Sequence, residues 1–247
     1  MRLAVSAAAV LVAVLIAASA HAVVVHQWNF NSVPPNGNTS NGTTSPNIGT
    51  GTLSLLGGLN LNYDVGSSSD PAPTDNSAAR LWAFPAQGAG DMSAGVQFSV
   101  STVGYLDPIF TFSLQQNDRS SRYGAIQYSL DGANFVTLSF FNDTNSASFD
   151  SYTANLSSIP GADNNANLKF RILSAYELTA KGSGASSYAT INGNYSSGNN
   201  NVNQPNGTWR LDMVTLSATA VPEASAAWFC GLGLAVAGLV CGWKRLR

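Results

Sequence analysis

The chain has 247 residues, a formal net charge of −2, and 10% charged side chains against 45% hydrophobic ones. With two histidines and two cysteines in all, it has no material for a multi-histidine metal centre or a disulfide-dense scaffold. The mildly acidic balance leaves no electrostatic footprint for nucleic acid, and no such partner is expected.

At the N-terminus, Met1 and Arg2 precede an almost wholly apolar run from Leu3 to Ala18, and Ala20-His21-Ala22 follows. A short positive start, an apolar stretch and small residues flanking the cut make up a secretion signal. Residues 1–22 are therefore expected to be a signal peptide, with Ala20 and Ala22 as the cleavage-site residues for signal peptidase. The body would then run from Val23 to Ala220, a size that one domain can bury around a single core.

Along that body, turn residues and period-two alternation dominate. Val24, His26, Trp28 and Phe30 alternate in a first strand, and residues 31–51 are rich in Asn, Gly, Thr, Ser and Pro, as in a long exposed loop. Weak strands are expected at Leu53 to Leu56 and Leu59 to Tyr63, and a short one at Arg80 to Phe84. Val96, Phe98 and Val100 share a face of the next, and Phe110, Phe112 and Leu114 a face of the one after it. Ile126, Tyr128 and Leu130 alternate into Asp131-Gly132, a pair suited to a tight turn, and Phe135 to Phe140 runs back. Ser151 to Leu156 follows. Leu168, Phe170 and Ile172 then alternate with Lys169 and Arg171. Trp209, Leu211 and Met213 are read as one face of a closing strand. The pattern predicts an all-β fold, an antiparallel β-sandwich of jelly-roll type.

After Val221, Pro222 and Glu223, residues 226–243 contain no charge, and Lys244, Arg245 and Arg247 close the sequence. An uncharged run of that length is a transmembrane helix candidate, and flanking positive charge stays cytoplasmic. Pro222 lacks a donor and biases Val221 away from helix, which keeps the preceding peptide extended and accessible. Both cysteines, Cys230 and Cys241, lie in this run, so the body has none.

Residues 221–247 resemble the PEP-CTERM sorting signal of Gram-negative bacteria, also known as the C-terminal domain of ice-binding proteins. Val221, Pro222 and Glu223, the apolar span and the basic residues Lys244, Arg245 and Arg247 carry the likeness; Ala224 stands where the family usually has a second proline. The resemblance implies a membrane-held intermediate, recognition by an exosortase near the Pro-Glu motif, and delivery to the cell surface or extracellular matrix. The strings YSLDG, LKFRI and GTWRLDMVTL also resemble jelly-roll ectodomains joined to this signal and, more loosely, carbohydrate-binding modules. Flat arrays of evenly spaced threonine, the surface expected of an ice binder, are not found in the sequence.

Chemistry in the body has few carriers. With His21 in the signal, His26 is the sole imidazole, and nothing near it forms a nucleophile elbow. Asp70, Asp107, Asp131 and Asp163 stand in turn contexts that explain them without a catalytic pair. Oxygen donors at Asp163, Asn164, Asn165 and Asp212 are candidates for a structural calcium; no other cofactor is expected. Trp82, Tyr123 and Trp209 are candidate sugar platforms, each weighed against a place in the core. These readings favour an exported, non-enzymatic surface or matrix protein that contacts polysaccharide or other envelope components. The alternatives are a secreted carbohydrate-active enzyme resembling a glycoside hydrolase, and a purely structural surface-layer component.

Overall fold

The computed structural model describes residues 21–72, 74–85, 90–117, 119–142, 148–175 and 207–221. These residues contain eleven strands and no helix. In chain order they are β1 (Ala22–Trp28), β2 (Thr52–Leu56), β3 (Asn60–Val65), β4 (Ser77–Trp82), β5 (Gly95–Ser99), β6 (Tyr105–Gln116), β7 (Tyr123–Ser129), β8 (Val136–Asn142), β9 (Asp150–Asn155), β10 (Lys169–Ser174) and β11 (Thr208–Ala220). All lie in the unit Ala22–Ala220. The expected signal peptide, up to and including Ala20, and the sorting segment from Pro222 through Lys244, Arg245 and Arg247 lie outside the described residues. Among the described residues no helix is long and apolar enough to cross a membrane.

The strands form two antiparallel sheets. A six-stranded sheet has the order β3-β4-β11-β6-β9, with β1 also paired to β11, and a five-stranded sheet has the order β2-β5-β10-β7-β8. The inward faces meet through aromatic rings. Phe110 of β6 stacks on Phe170 of β10 with centroids 4.3 Å apart, and Phe141 of β8 packs against both Phe112 and Trp209 at 6.1 Å. Burying rings of this size is the main gain from closing the two layers.

β11 organises the larger sheet. Thr208 to Leu211 pair with β4, Val214 to Thr219 pair with β1, and the opposite edge pairs with β6 along nearly its whole length. Between the two halves the register shifts, and Met213 takes a left-handed conformation with φ of 47°. Trp209, Leu211, Val214, Leu216 and Ala218 are all buried. Met213 therefore does not continue the face of Trp209 and Leu211, as alternation alone predicts: the bulge consumes one residue and hands the inward position to Val214.

Two loops also differ from simple expectation. Residues 31–51 are anchored rather than free along β1: Gln27 pairs with Ile48, and the indole N–H of Trp28 donates to the Thr44 carbonyl at 3.1 Å. Asp131-Gly132 is not a two-residue turn. Asp131 Oδ1 accepts from the Ala133 and Asn134 amides at 2.8 and 2.7 Å, which closes a wider connection over residues 130–135.

The left-handed residue in β11 gives a direct test. A β-branched side chain is disfavoured at positive φ while glycine is not, so Met213→Val is expected to be less stable than Met213→Gly by about 1–2 kcal/mol. Chemical denaturation of the two variants measures the difference.

Candidate functional site

The outward face of the five-stranded sheet carries an unbroken polar row. Cross-strand register aligns Ser54 of β2, Gln97 of β5, Arg171 of β10, Gln127 of β7 and Thr137 of β8. Arg171 Nε donates to Gln97 Oε1 at 2.9 Å, and Gln127 Nε2 donates to Thr137 Oγ1 at 3.1 Å. The guanidinium lies over the Phe135 ring, 3.3 Å from its centroid, and partial burial draws the Arg171 pKa below the usual arginine value. These side chains face outward because Phe170 and Ile172, alternating with them along β10, are fixed in the core.

Two residues along, Thr52, Ser99 and Lys169 line an open cavity of about 670 Å3 together with Asp131, Gly132 and Asn167. Lys169 Nζ donates to the Gly132 carbonyl at 2.7 Å. The Asp131 carboxyl is held well below the ordinary carboxylate range. The amides of Asn134 and Ala133 contribute most, followed by the Asn134 side chain and the Ser129 hydroxyl. The arrangement is an ordered surface of amides, hydroxyls and fixed charges beside a recess.

The three aromatic candidates from the sequence are not brought together. Tyr123 shares the outward side of β7 with Gln127, and the Arg122 guanidinium sits 5.5 Å from its ring centre. Trp82 is 40% exposed, but it belongs to β4 of the other sheet, two residues from Arg80, whose Nε is 3.9 Å from Asp64. Trp209 is a core residue: it is 1% exposed, packs on Phe84, and donates its indole N–H to the Ser121 carbonyl at 3.0 Å. It has no face left for a ligand. Gln97, Arg171, Gln127 and Phe135 were not singled out from sequence; the alternation of Lys169 and Arg171 with Phe170 was the one available signal.

The ion candidates separate as well. Asp163 Oδ1 accepts from the Asp107 amide, Asn164 Oδ1 from the Gly104 amide, and Asn165 Nδ2 donates to the Leu130 and Gly161 carbonyls. These bonds fasten a loop near Tyr105, at the start of β6. Asp212 lies opposite Ser113, eight residues along that strand, a distance of roughly 26 Å. Asp163, Asn165 and Asp212 therefore do not form one ligand set, and among the described residues no three His, Cys, Asp or Glu side chains converge in a geometry able to hold a metal ion.

Asp212 has a different setting. It is fully buried under the loop after β3, accepting from the Ser67 and Met213 amides at 2.7 Å each. Burial pushes its pKa up to about 7; the two amides oppose the shift and the nearby Asp70 carboxylate adds to it. His26 is also buried. Its Nε2 lies 2.9 Å from the Ser101 carbonyl and 3.4 Å from the Ser101 amide, while Nδ1 has no partner among the described residues. Among the described residues no acid or nucleophile side chain is bonded to it.

No family model matches the chain, and no curated protein matches it in sequence. Among solved structures, it is similar to the CBM22-1–GH10 modules of Clostridium thermocellum xylanase 10B complexed with xylohexaose. That match has 11% identity and a TM-score of 0.42, and covers 82% of this chain and 29% of that one. It is also similar to the CBM22-2 xylan-binding domain of Paenibacillus barcinonensis Xyn10C, at 9% identity and a TM-score of 0.40, over 68% of this chain and 91% of that one. A third likeness is to TmCBM61 in complex with β-1,4-galactotriose, at 9% identity and a TM-score of 0.36, over 67% of this chain and 86% of that one. Xylohexaose, xylan and galactotriose are ligands of those proteins.

The buried acid predicts a pH effect. An acid whose pKa rises from 3.8 to about 7 on folding contributes fully below the lower value and loses that contribution as pH climbs to the higher one. Between pH 4 and pH 8, the wild type should lose on the order of 4 kcal/mol of stability relative to Asp212→Asn. Unfolding free energies of the two proteins measured across this range check the shift; profiles that ran parallel would refute it, since Asp212 would then titrate alike in the folded and unfolded chains.

Proposed function

We propose that the body is a non-catalytic, polysaccharide-contacting module of an exported protein, and that the contact is made on the outward face of the five-stranded sheet. One observation carries this reading: a row of side-chain amides, hydroxyls and a guanidinium spans all five strands and adjoins an open cavity. Sugars offer dense hydroxyl groups, and a rigid surface of paired donors and acceptors with an aromatic edge answers that chemistry. Phe135 and Tyr123 supply the apolar component. A jelly-roll arrangement of the strands belongs to the same reading.

The export half rests on the sequence. Signal peptidase would act after Ala22, and an exosortase near Val221, Pro222 and Glu223, with residues 226–243 holding the intermediate in the membrane and Lys244, Arg245 and Arg247 retained inside. In a host carrying its exosortase, the wild type is expected to be processed and a Pro222→Ala, Glu223→Ala variant to remain membrane-held. Equal processing of the two in a fractionation blot would refute sorting through this motif.

For the binding half, Gln97→Ala combined with Gln127→Ala is expected to weaken retention on insoluble xylan or galactan about tenfold, since each side chain contributes of order one hydrogen bond. The same loss in Trp82→Ala alone would move the contact to the six-stranded sheet. Release of reducing sugar, abolished by one aspartate substitution, would favour the enzyme alternative.

A further inference from the structure

The same outward face carries cationic donors that the fold does not fully use. Arg171 commits Nε to Gln97 and rests its plane on Phe135, which leaves the four N–H donors of its two Nη groups without a partner among the described residues. Lys169 Nζ uses one of its three protons on the Gly132 carbonyl. Asp131, the one carboxylate lining the cavity, has Oδ1 occupied by Ala133, Asn134 and Ser129, and Oδ2 by Asn134 Nδ2. Its hydrogen bonds are spent on its own loop, while its negative charge stays at the cavity near Lys169 and makes Arg171 the stronger of the two anion contacts.

Lys169 and Arg171 stand two residues apart on one side of β10, about 6.6 Å along the strand. Neither forms an ion pair among the described residues, whereas Arg80 and Arg210 both approach Asp64 at 3.9 Å. The body between Val23 and Ala220 has seven cationic and twelve acidic side chains. Two neighbouring cations with no carboxylate in ion-pair range, one of them set against an aromatic ring, therefore depart from the average charge of this protein. A planar guanidinium with both Nη groups open matches a carboxylate in two-pronged fashion, and an adjacent ammonium adds a point charge.

We propose that this face takes a uronate-bearing polysaccharide, with a sugar carboxylate received by the Arg171 Nη groups and Lys169 Nζ. The inference rests on the polysaccharide-binding reading above and adds the charge class of the ligand. Acidic glycan binding of this type weakens as salt screens the exposed cations.

The test uses the full-length chain in detergent micelles, with polygalacturonate as the acidic probe and galactan as the neutral one, measured by affinity electrophoresis at low and high salt. Polygalacturonate should bind about tenfold more tightly than galactan at low salt, with the preference shrinking at high salt. In a Lys169→Gln, Arg171→Gln variant the ratio should fall close to one, in Arg171→Lys it should be intermediate, and in Arg80→Gln it should be unchanged. Near-ultraviolet circular dichroism checks that each variant is folded. Equal wild-type affinity for the two polymers, or a folded double variant that keeps the preference, overturns the acidic-ligand proposal and leaves the polysaccharide reading standing. Failure of the wild type to bind either polymer overturns both.

Discussion

A strand can bury alternate side chains only while its parity holds, and β11 breaks and restores that parity at Met213. The left-handed residue there lets Trp209 and Leu211 on one side of the break, and Val214, Leu216 and Ala218 on the other, all point into the same core. It also divides one edge of the strand between β4 and β1, while β6 runs along the other. Without the bulge, one half of β11 would turn its apolar residues outward, and the strand would lose that half of its contribution to the inner face.

That inner face sets the outer one. Phe110 and Phe170 stack between the sheets, and Phe170 alternates with Lys169 and Arg171 on β10. Packing that immobilises the ring therefore fixes the spacing and direction of the two cations, and cross-strand register brings Gln97 and Gln127 to either side of Arg171. Within the row, the Arg171–Gln97 and Gln127–Thr137 hydrogen bonds restrict the side chains that the core itself does not reach. The opposite sheet presents a different surface: Arg80 and Arg210 converge on Asp64 there, and the loop after β3 closes over Asp212 and Ser113.

Several features were legible from residue order. The alternation of Phe110, Phe112 and Leu114, and of Phe170 and Ile172 with Lys169 and Arg171, marks strands with one buried side, and those strands are present. Boundaries were less legible. Arg80 to Phe84 reads as a strand by composition, yet β4 is Ser77–Trp82, because the small residues Ala78 and Ala79 that alternation undervalues pair with β3 and β11. Asp131-Gly132 reads as a tight turn, yet the Asp131 carboxylate captures two amides beyond it and widens the loop. Trp209 could be a platform or a core residue on sequence grounds, and the core claimed it because Phe84 and Phe141 close over it.

Period-two hydrophobicity is a local property of the chain, so strand identity, the all-β class and the shortage of catalytic imidazoles follow from the order of residues alone. Pairing is not local. Arg171 meets Gln97 across 74 positions, and Asp212 meets the Ser67 amide across 145. Such contacts depend on which edges join and in what register, and these are settled when two apolar faces find the packing that buries both. The polar row, the burial of Asp212 and the separation of Asp163 from it were therefore decided by the folded arrangement, through cooperative burial that no short window of sequence contains.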